Sequence, residues 1–298
     1  NLNYTTGQTI ANTVITPVDT NGKVCFYAHG TTHLLADLTG WFPTTTSLTA
    51  TTPARLFDTR PGEPAGAVTV TKQAVTGGSV LEVQLTGKAG MPASGVGSVA
   101  LTVTATAATA NGYITVYPCG TRPLTSNLNY TTGQTIANTV ITPVDTNGKV
   151  CFYAHGTTHL LADLTSWFPT GNAMTSMTPA RLFDTRPGEP AGAVTVTKQA
   201  VTGGSVLEVQ VTGKAGVPGT GVGSVALTVT ATEASANGYI TVYPCGTRPL
   251  ASNLNYTTGQ TIANTVITPV DTNGKVCFYA HGTTHLLADV TGWFPTTS

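Results

Sequence analysis

The chain has 298 residues, enough for two or three domains, and its 40% of apolar residues can supply hydrophobic cores. Only 9% of the residues are charged, and 13 basic side chains balance 13 acidic ones, which leaves no electrostatic footprint for nucleic acid or an anionic membrane. No apolar run reaches the roughly 20 residues of a transmembrane helix. We therefore expect neither nucleic acid binding nor membrane insertion.

The chain repeats itself with a period of 126 residues. One long string, which opens Asn-Leu-Asn-Tyr-Thr-Thr-Gly, begins at Asn1, at Asn127 and again at Asn253. Such self-similarity is typical of a tandem array. In chain order it predicts the C-terminal part of one repeat at 1–43, a linker at 44–52, a complete repeat at 53–169, a second linker at 170–178 and a second complete repeat at 179–298.

The first element, 1–43, carries about three of the roughly eight strands expected for a whole repeat. Three strands alone leave unpaired edges and a half-covered apolar face, so we expect preceding residues or a neighbouring chain to complete this repeat. Its Cys25 aligns with Cys151, and the matching partner of Cys25 would lie outside this chain.

The linkers are assigned from the positions at which residues 1–126 differ from residues 127–252. Over 45–51 and the corresponding 171–177, six of the seven positions carry different residues, whereas the flanking sequence is almost unchanged. A Thr-rich segment that varies between constant neighbours is typical of a linker.

The complete repeat 53–169 has the alternation of β-strands. Val99, Leu101 and Val103 alternate with Thr102 and Thr104, and the threonines are expected on the solvent side. About eight strands are predicted, near 55–59, 68–72, 80–86, 99–106, 113–117, 139–144, 150–154 and 160–165. Asn-Gly pairs at 111–112 and 147–148 predict antiparallel hairpins. The fold is expected to be all-β, a tandem of antiparallel β-sandwiches of jelly-roll type, with a barrel as the alternative.

Each repeat contains two cysteines 32 residues apart, Cys119 with Cys151 and Cys245 with Cys277. Neither pair lies in a CxxC motif, so one disulfide in each repeat is the natural interpretation. Each repeat then closes on Trp-Phe-Pro beside a linker. The residues predicted to anchor the domain junctions are Trp41, Trp167, Phe168 and Trp293.

The best candidates for a metal site are His155, His159 and Asp163, with their counterparts in the other repeats. Gly-Thr-Thr between the histidines would form a hairpin tip that brings the imidazoles together. Without a clear third ligand, a hydrogen-bonding role is the preferred interpretation. Arg55, with Asp58 and Arg60, would bind a ligand or, as we favour, form ion pairs at a strand end. No nucleophile, metalloprotease or nucleotide motif is present in the sequence, so we predict neither an enzyme nor a cofactor.

Several sequence blocks together resemble a repeat of large secreted and wall-associated proteins of actinobacteria and related filamentous bacteria. They are RLFDTR, NGYITVYPCGTRP, SNLNYTTGQTIANTVITPV and GKVCFYAHGTTHLLAD. The resemblance covers both complete repeats and the partial one. It implies an extracellular location, at the cell surface or cell wall, and a module without an active site.

We predict a structural repeat of an extracellular fibre, stalk or pilus-like filament, whose partners are copies of itself. Near-identity favours this, because a fibre needs equivalent contacts at each step. The alternative is a glycan-binding adhesin with surface glycans as partners, since small β-sandwiches often bind sugars on aromatic rings. The tyrosines considered for that role are Tyr113, Tyr117, Tyr130 and Tyr153.

Overall fold

The computed structural model describes residues 2–42, 48–171 and 174–296. Every regular element in these ranges is a β-strand, and none of their residues is helical, which confirms the predicted all-β class. No helix long and apolar enough to cross a membrane occurs in the described part of the chain.

Both complete repeats contain eight strands at matching positions. In the first repeat β1 to β8 are Thr49–Asp58, Val80–Gln84, Val96–Thr106, Gly112–Pro118, Leu128–Tyr130, Ile136–Pro143, Lys149–Ala154 and His159–Pro169. In the second repeat β9 to β16 are Thr175–Asp184, Val206–Gln210, Val222–Thr232, Gly238–Pro244, Leu254–Tyr256, Ile262–Pro269, Lys275–Ala280 and His285–Pro295.

Each repeat is a sandwich of two four-stranded antiparallel sheets. In the first repeat the strand orders are β1-β8-β3-β6 and β2-β7-β4-β5, and the second repeat has the same two orders. This order confirms the predicted jelly-roll type of sandwich. We call the sheet with β1, β8, β3 and β6, and its counterpart in the second repeat, the inner sheet. We call the sheet with β2, β7, β4 and β5, and its counterpart in the second repeat, the outer sheet.

The Asn-Gly turns do not join hairpins. The strands that flank the first Asn-Gly turn, β3 and β4, belong to opposite sheets, and so do β6 and β7, which flank the second. Gly148 itself lies in a tight turn, with φ of 75° and its amide 2.9 Å from the Asp145 carbonyl oxygen. The hairpin prediction is wrong because a turn reverses the chain locally without deciding which sheet the next strand joins.

Two of the strand assignments also differ. Residues 68–72 form no strand, although the Val68 amide donates one hydrogen bond to the Leu56 carbonyl. The three-residue strand β5 was not expected from the sequence. A short strand carries too few residues for alternation to be recognised.

The inner sheets extend into both predicted linkers. β1 begins at Thr49, opposite Trp167, and β9 begins at Thr175, opposite Trp293. Residues 44–47 and 172–173 of the predicted linkers, together with 1, 43 and 297–298, lie outside the described residues. The strands begin early because sheet pairing uses the backbone and does not require particular side chains at these varied positions.

The core of each repeat lies between its two sheets. Phe57 from the inner sheet meets Phe152 from the outer sheet edge to face, with ring centroids 5.0 Å apart, and Phe183 meets Phe278 in the same way. All four side chains are fully buried. Burying one such side chain stabilises the fold by roughly 1.5–3 kcal/mol.

Both predicted disulfides are present, Cys119–Cys151 and Cys245–Cys277. Each joins the residue after the fourth strand of its repeat to the seventh strand, so it ties together two neighbouring segments of the outer sheet. Cys25 is free and exposed, and its pairing outside this chain stays a prediction.

Residues 2–42 contain no strand but keep local turns of the complete repeats. The Lys23 amide donates to the Asp19 carboxylate at 2.7 Å, as Lys149 does to Asp145. Counterparts of core residues are exposed, however. Phe26 is 67% exposed, whereas its equivalent Phe152 is fully buried. The turns are local, whereas the burial of these side chains needs the other strands of a repeat.

Candidate functional site

The three metal candidates each have a different partner. His155 stacks on Tyr113 at the outer sheet, with ring centroids 4.8 Å apart. His159 begins β8 in the inner sheet, and its Nδ1 lies 3.1 Å from Thr59 Oγ1. Asp163 Oδ1 accepts a hydrogen bond from Arg55 Nε at 2.5 Å. The chain between the histidines crosses from one sheet to the other, so the expected hairpin tip is wrong.

An ion-pair cluster holds the end of β1. The buried Asp58 carboxylate accepts from Arg55 Nη1 at 2.7 Å and from Arg60 Nη2 at 2.6 Å. Burial opposes ionisation of Asp58, but hydrogen bonds and charge from Arg60 and the charge of Arg55 outweigh burial and lower its pKa. Lys72 Nζ also donates to the Asp58 carbonyl at 2.8 Å. These contacts are those of ion pairing at a strand end.

The same cluster in the second repeat reaches the first repeat. Arg181 Nη2 donates to the Leu124 carbonyl at 3.3 Å, and Arg181 Nε lies 2.6 Å from Asp289 Oδ1. Asp289 is fully buried, and burial raises its pKa to about 6 despite this ion pair. The cluster therefore forms part of a contact between repeats.

The threonines of the inner sheet do not face solvent. Thr102 and Thr104 in β3, with Thr228 and Thr230 in β11, are at most 2% exposed. Our expectation of a solvent-facing threonine row is therefore wrong, because the inner sheet is covered on both faces. Alternation distinguishes two faces of a strand, but it does not tell whether a polar face meets water or another protein surface.

A polar interface joins the two complete repeats. The fifth and sixth strands of the first repeat lie against the second repeat's inner sheet. Asn127 Nδ2 lies 3.5 Å from Thr228 Oγ1, and the Thr265 amide donates to Asn138 Oδ1 at 3.3 Å. The Thr265 hydroxyl also donates to the Thr139 carbonyl. These groups are buried, so their hydrogen bonds depend on contact between the repeats.

A β-bulge in β8 places the adjacent residues Trp167 and Phe168 in two different environments. Leu101 pairs with Leu164, but Ala100 pairs with Ser166, so one residue of β8 is left over. Beyond the bulge, the side chains of β8 that would have pointed to one face of the inner sheet point to the other. Trp167 then lies opposite Val99, on the core side of its own repeat.

Phe168, by contrast, lies between the repeats. It is 1% exposed and belongs to a second apolar cluster with Met174 and Phe294 of the second repeat. Trp293 lines a cleft with Pro169 and Met174, whereas Trp41 is 75% exposed. Of the four predicted junction residues, Phe168 therefore lies between the repeats, Trp167 and Trp293 both pack on the core cluster, and Trp41 is exposed.

Two of the four tyrosines considered for glycan binding lie at the surface of the outer sheet. Tyr113 stacks on His155 at an interplanar angle of 8°, and the Arg122 guanidinium carbon lies 4.0 Å from the Tyr153 ring centroid. Tyr117 and Tyr130 are each 3% exposed. One face of each surface ring is therefore covered by a partner from its own repeat, which reduces the ring area available to a sugar.

No protein-family model matches the chain, and no curated protein matches it. The function therefore has to be argued from the contacts described above.

Proposed function

We propose that these repeats are structural elements of an extracellular fibre, stalk or filament, and that each repeat acts by binding other copies of itself. The interface between the two complete repeats carries this proposal. Asn138, Thr228 and Thr265 place polar groups in that interface where only the neighbouring repeat completes their hydrogen bonds. A buried polar group left without a partner costs about 1–3 kcal/mol. The inner sheet is thus suited to a second copy rather than to water.

Several features support an extracellular location at a cell surface or cell wall. Each complete repeat contains one disulfide, and such bonds persist mainly in oxidising compartments. The low charge and the sequence resemblance agree with this proposal. The ionisable clusters described above have partners within the protein, which favours a non-catalytic role.

Antibody labelling of the producing cells tests location and assembly together. Antibodies against residues 48–171 should label intact cells, and electron micrographs should show the label along elongated structures. Permeabilised cells serve as the control for total protein. Labelling that requires permeabilisation would contradict the location, and scattered label without elongated structures would contradict the structural role.

A glycan array separates this proposal from the adhesin alternative. The purified 298-residue chain should bind no glycan specifically. Specific binding that is lost in a Tyr153→Ala variant, and retained in Tyr117→Phe, would favour the adhesin, because Tyr153 lies at the surface and Tyr117 does not.

A further inference from the structure

Three threonines from three successive repeats bind one another in a cycle. The Thr139 hydroxyl donates to the Thr13 carbonyl, the Thr265 hydroxyl donates to the Thr139 carbonyl, and the Thr13 hydroxyl donates to the Thr265 carbonyl. These residues are equivalent in the repeat. Each threonine gives one hydrogen bond to one neighbour and receives one from the other.

The preceding asparagines form a second cycle in the same direction. The Thr139 amide donates to Asn12 Oδ1 at 3.1 Å, the Thr265 amide to Asn138 Oδ1 at 3.3 Å, and the Thr13 amide to Asn264 Oδ1 at 3.4 Å. β6 and β14 are edge strands of their sheets. In the two complete repeats the asparagine side chains thus bind the Thr139 and Thr265 amides at a sheet edge, where no neighbouring strand of the same sheet takes them up.

Equivalent apolar side chains meet beside these two cycles. The ring centroids of Phe42, Phe168 and Phe294 are 5.8–6.3 Å apart in all three pairs. The same apolar cluster contains three equivalent isoleucines, Ile15, Ile141 and Ile267. Polar and apolar contacts therefore share one approximate threefold arrangement.

We infer that three successive repeats close a ring around this axis, and that the ring of three is the unit from which the array is built. A surface that binds a different surface of the next copy gives a ring when the rotation closes and an open filament when it does not. Here the contact from Thr13 to Thr265 spans 252 positions and closes the cycle.

The partner that fits this surface is a third complete copy of the repeat. Residues 2–42 hold the third place through Asn12, Thr13, Ile15 and Phe42. All three hydroxyl donors of the threonine cycle are used once the three places are filled, because each donates to a carbonyl within the cycle. A fourth repeat therefore cannot enter the same cycle and must begin another ring.

Methyl NMR on the complete 298-residue chain tests the ring. With isoleucine δ1 methyl groups labelled, we expect cross-peaks between all three pairs of Ile15, Ile141 and Ile267, assigned with single Ile→Val variants. A cross-peak between Ile141 and Ile267 without either cross-peak to Ile15 indicates a linear string and overturns the inference. The sample must sediment as one chain of 30.5 kDa. Cross-peaks to Ile15 that vanish on dilution would be contacts between chains and would also overturn it.

A matched pair of variants tests the threonine cycle without touching a strand. Thr13→Val removes a hydroxyl of the cycle, and we expect the equilibrium constant for docking of residues 2–42 to fall about fivefold, as the loss of one ordinary hydrogen bond implies, so that the Ile15 cross-peaks weaken as the docked population falls. Thr16→Val is the control, because the Thr16 hydroxyl donates only to the adjacent Pro17 carbonyl at 3.4 Å. Equal effects of the two variants would contradict the threonine cycle.

Discussion

One tyrosine in each repeat fastens the loop that crosses from the outer to the inner sheet. Tyr130 donates its hydroxyl to the Gly156 carbonyl at 2.5 Å, and Tyr256 donates to the Gly282 carbonyl at 2.6 Å. Burial raises the pKa of each of these tyrosines to about 12. Tyr4 makes the same bond to Gly30 at 2.9 Å, in a segment that has no strands. The contact therefore forms without the strands of a complete repeat.

These two tyrosines should make the folded protein less stable at alkaline pH. Their folded pKa lies above the unfolded value of about 10, so their contribution is complete below pH 10 and is lost as the pH rises towards about 12. We expect urea unfolding to show this decline and phenolate absorbance to show two of the ten tyrosines titrating near pH 12. Tyr130→Phe should remove one of the two and cost about 1–3 kcal/mol at neutral pH. Tyr113→Phe, at the surface, is the control, and equal loss in both variants would contradict the assignment.

A second residue-scale difference concerns two positions that vary together between the repeats. Ser166 of the first repeat corresponds to Gly292 of the second, and Leu48 corresponds to Met174. A Cβ at Gly292 would overlap Met174 Cε and lie 2.9 Å from the Thr175 carbonyl oxygen. The glycine makes room for the longer methionine.

We expect Gly292→Ser to destabilise the second repeat by about 1 kcal/mol through overpacking. Adding Met174→Leu should restore most of this loss, because it recreates the side-chain pair of the first repeat. Thermal unfolding of the single and double variants measures the effect. A double variant less stable than Gly292→Ser would show that the two positions do not compensate.

At the scale of strands and sheets, the sequence predicted the local conformation of the chain better than it predicted which segments contact each other. The alternation around Val99 and Leu101 identified β3, and the cysteine spacing identified both disulfides. It did not identify the buried threonine face or the contacts of Thr139, since a small polar β-branched side chain suits both solvent and a polar interface. The bulge in β8 also has no visible signal, although it decides that Phe168 and not Trp167 faces the neighbouring repeat.

The disulfides provide a prediction at the same scale. Replacing Cys119 and Cys151 together by serine should lower the free energy of unfolding of the first repeat by about 3–4 kcal/mol, because it opens a loop closed across 32 residues. Urea unfolding measures the change, and the variant that lacks Cys245 and Cys277 provides the matched comparison. A loss below about 1 kcal/mol in both would show that the unfolded chain gains little freedom from opening the loop.

At the scale of the whole molecule, the two sheets of a repeat have different roles. The outer sheet carries the disulfide and the surface tyrosines, whereas the inner sheet is buried against its own core and against other repeats. Ala100, Thr139 and Ile141, which lie at the contact between repeats, recur unchanged in the second repeat, and the outer-sheet strands are unchanged as well. Near-identity of the repeats is therefore expected if each copy must fit two others.

This division predicts opposite effects for two adjacent residues. Phe168→Ala removes a ring from the cluster between repeats, so we expect hydrogen exchange at the Thr139 and Thr265 amides to accelerate at least tenfold while the core amides of β3 stay protected. Trp167→Ala removes a ring that packs on the core of its own repeat, so we expect it to lower the unfolding free energy of the first repeat by about 3 kcal/mol. Exchange measured by NMR on the complete chain distinguishes the two. If Trp167→Ala releases the two threonine amides and Phe168→Ala does not, then the bulge does not direct Phe168 to the interface between repeats.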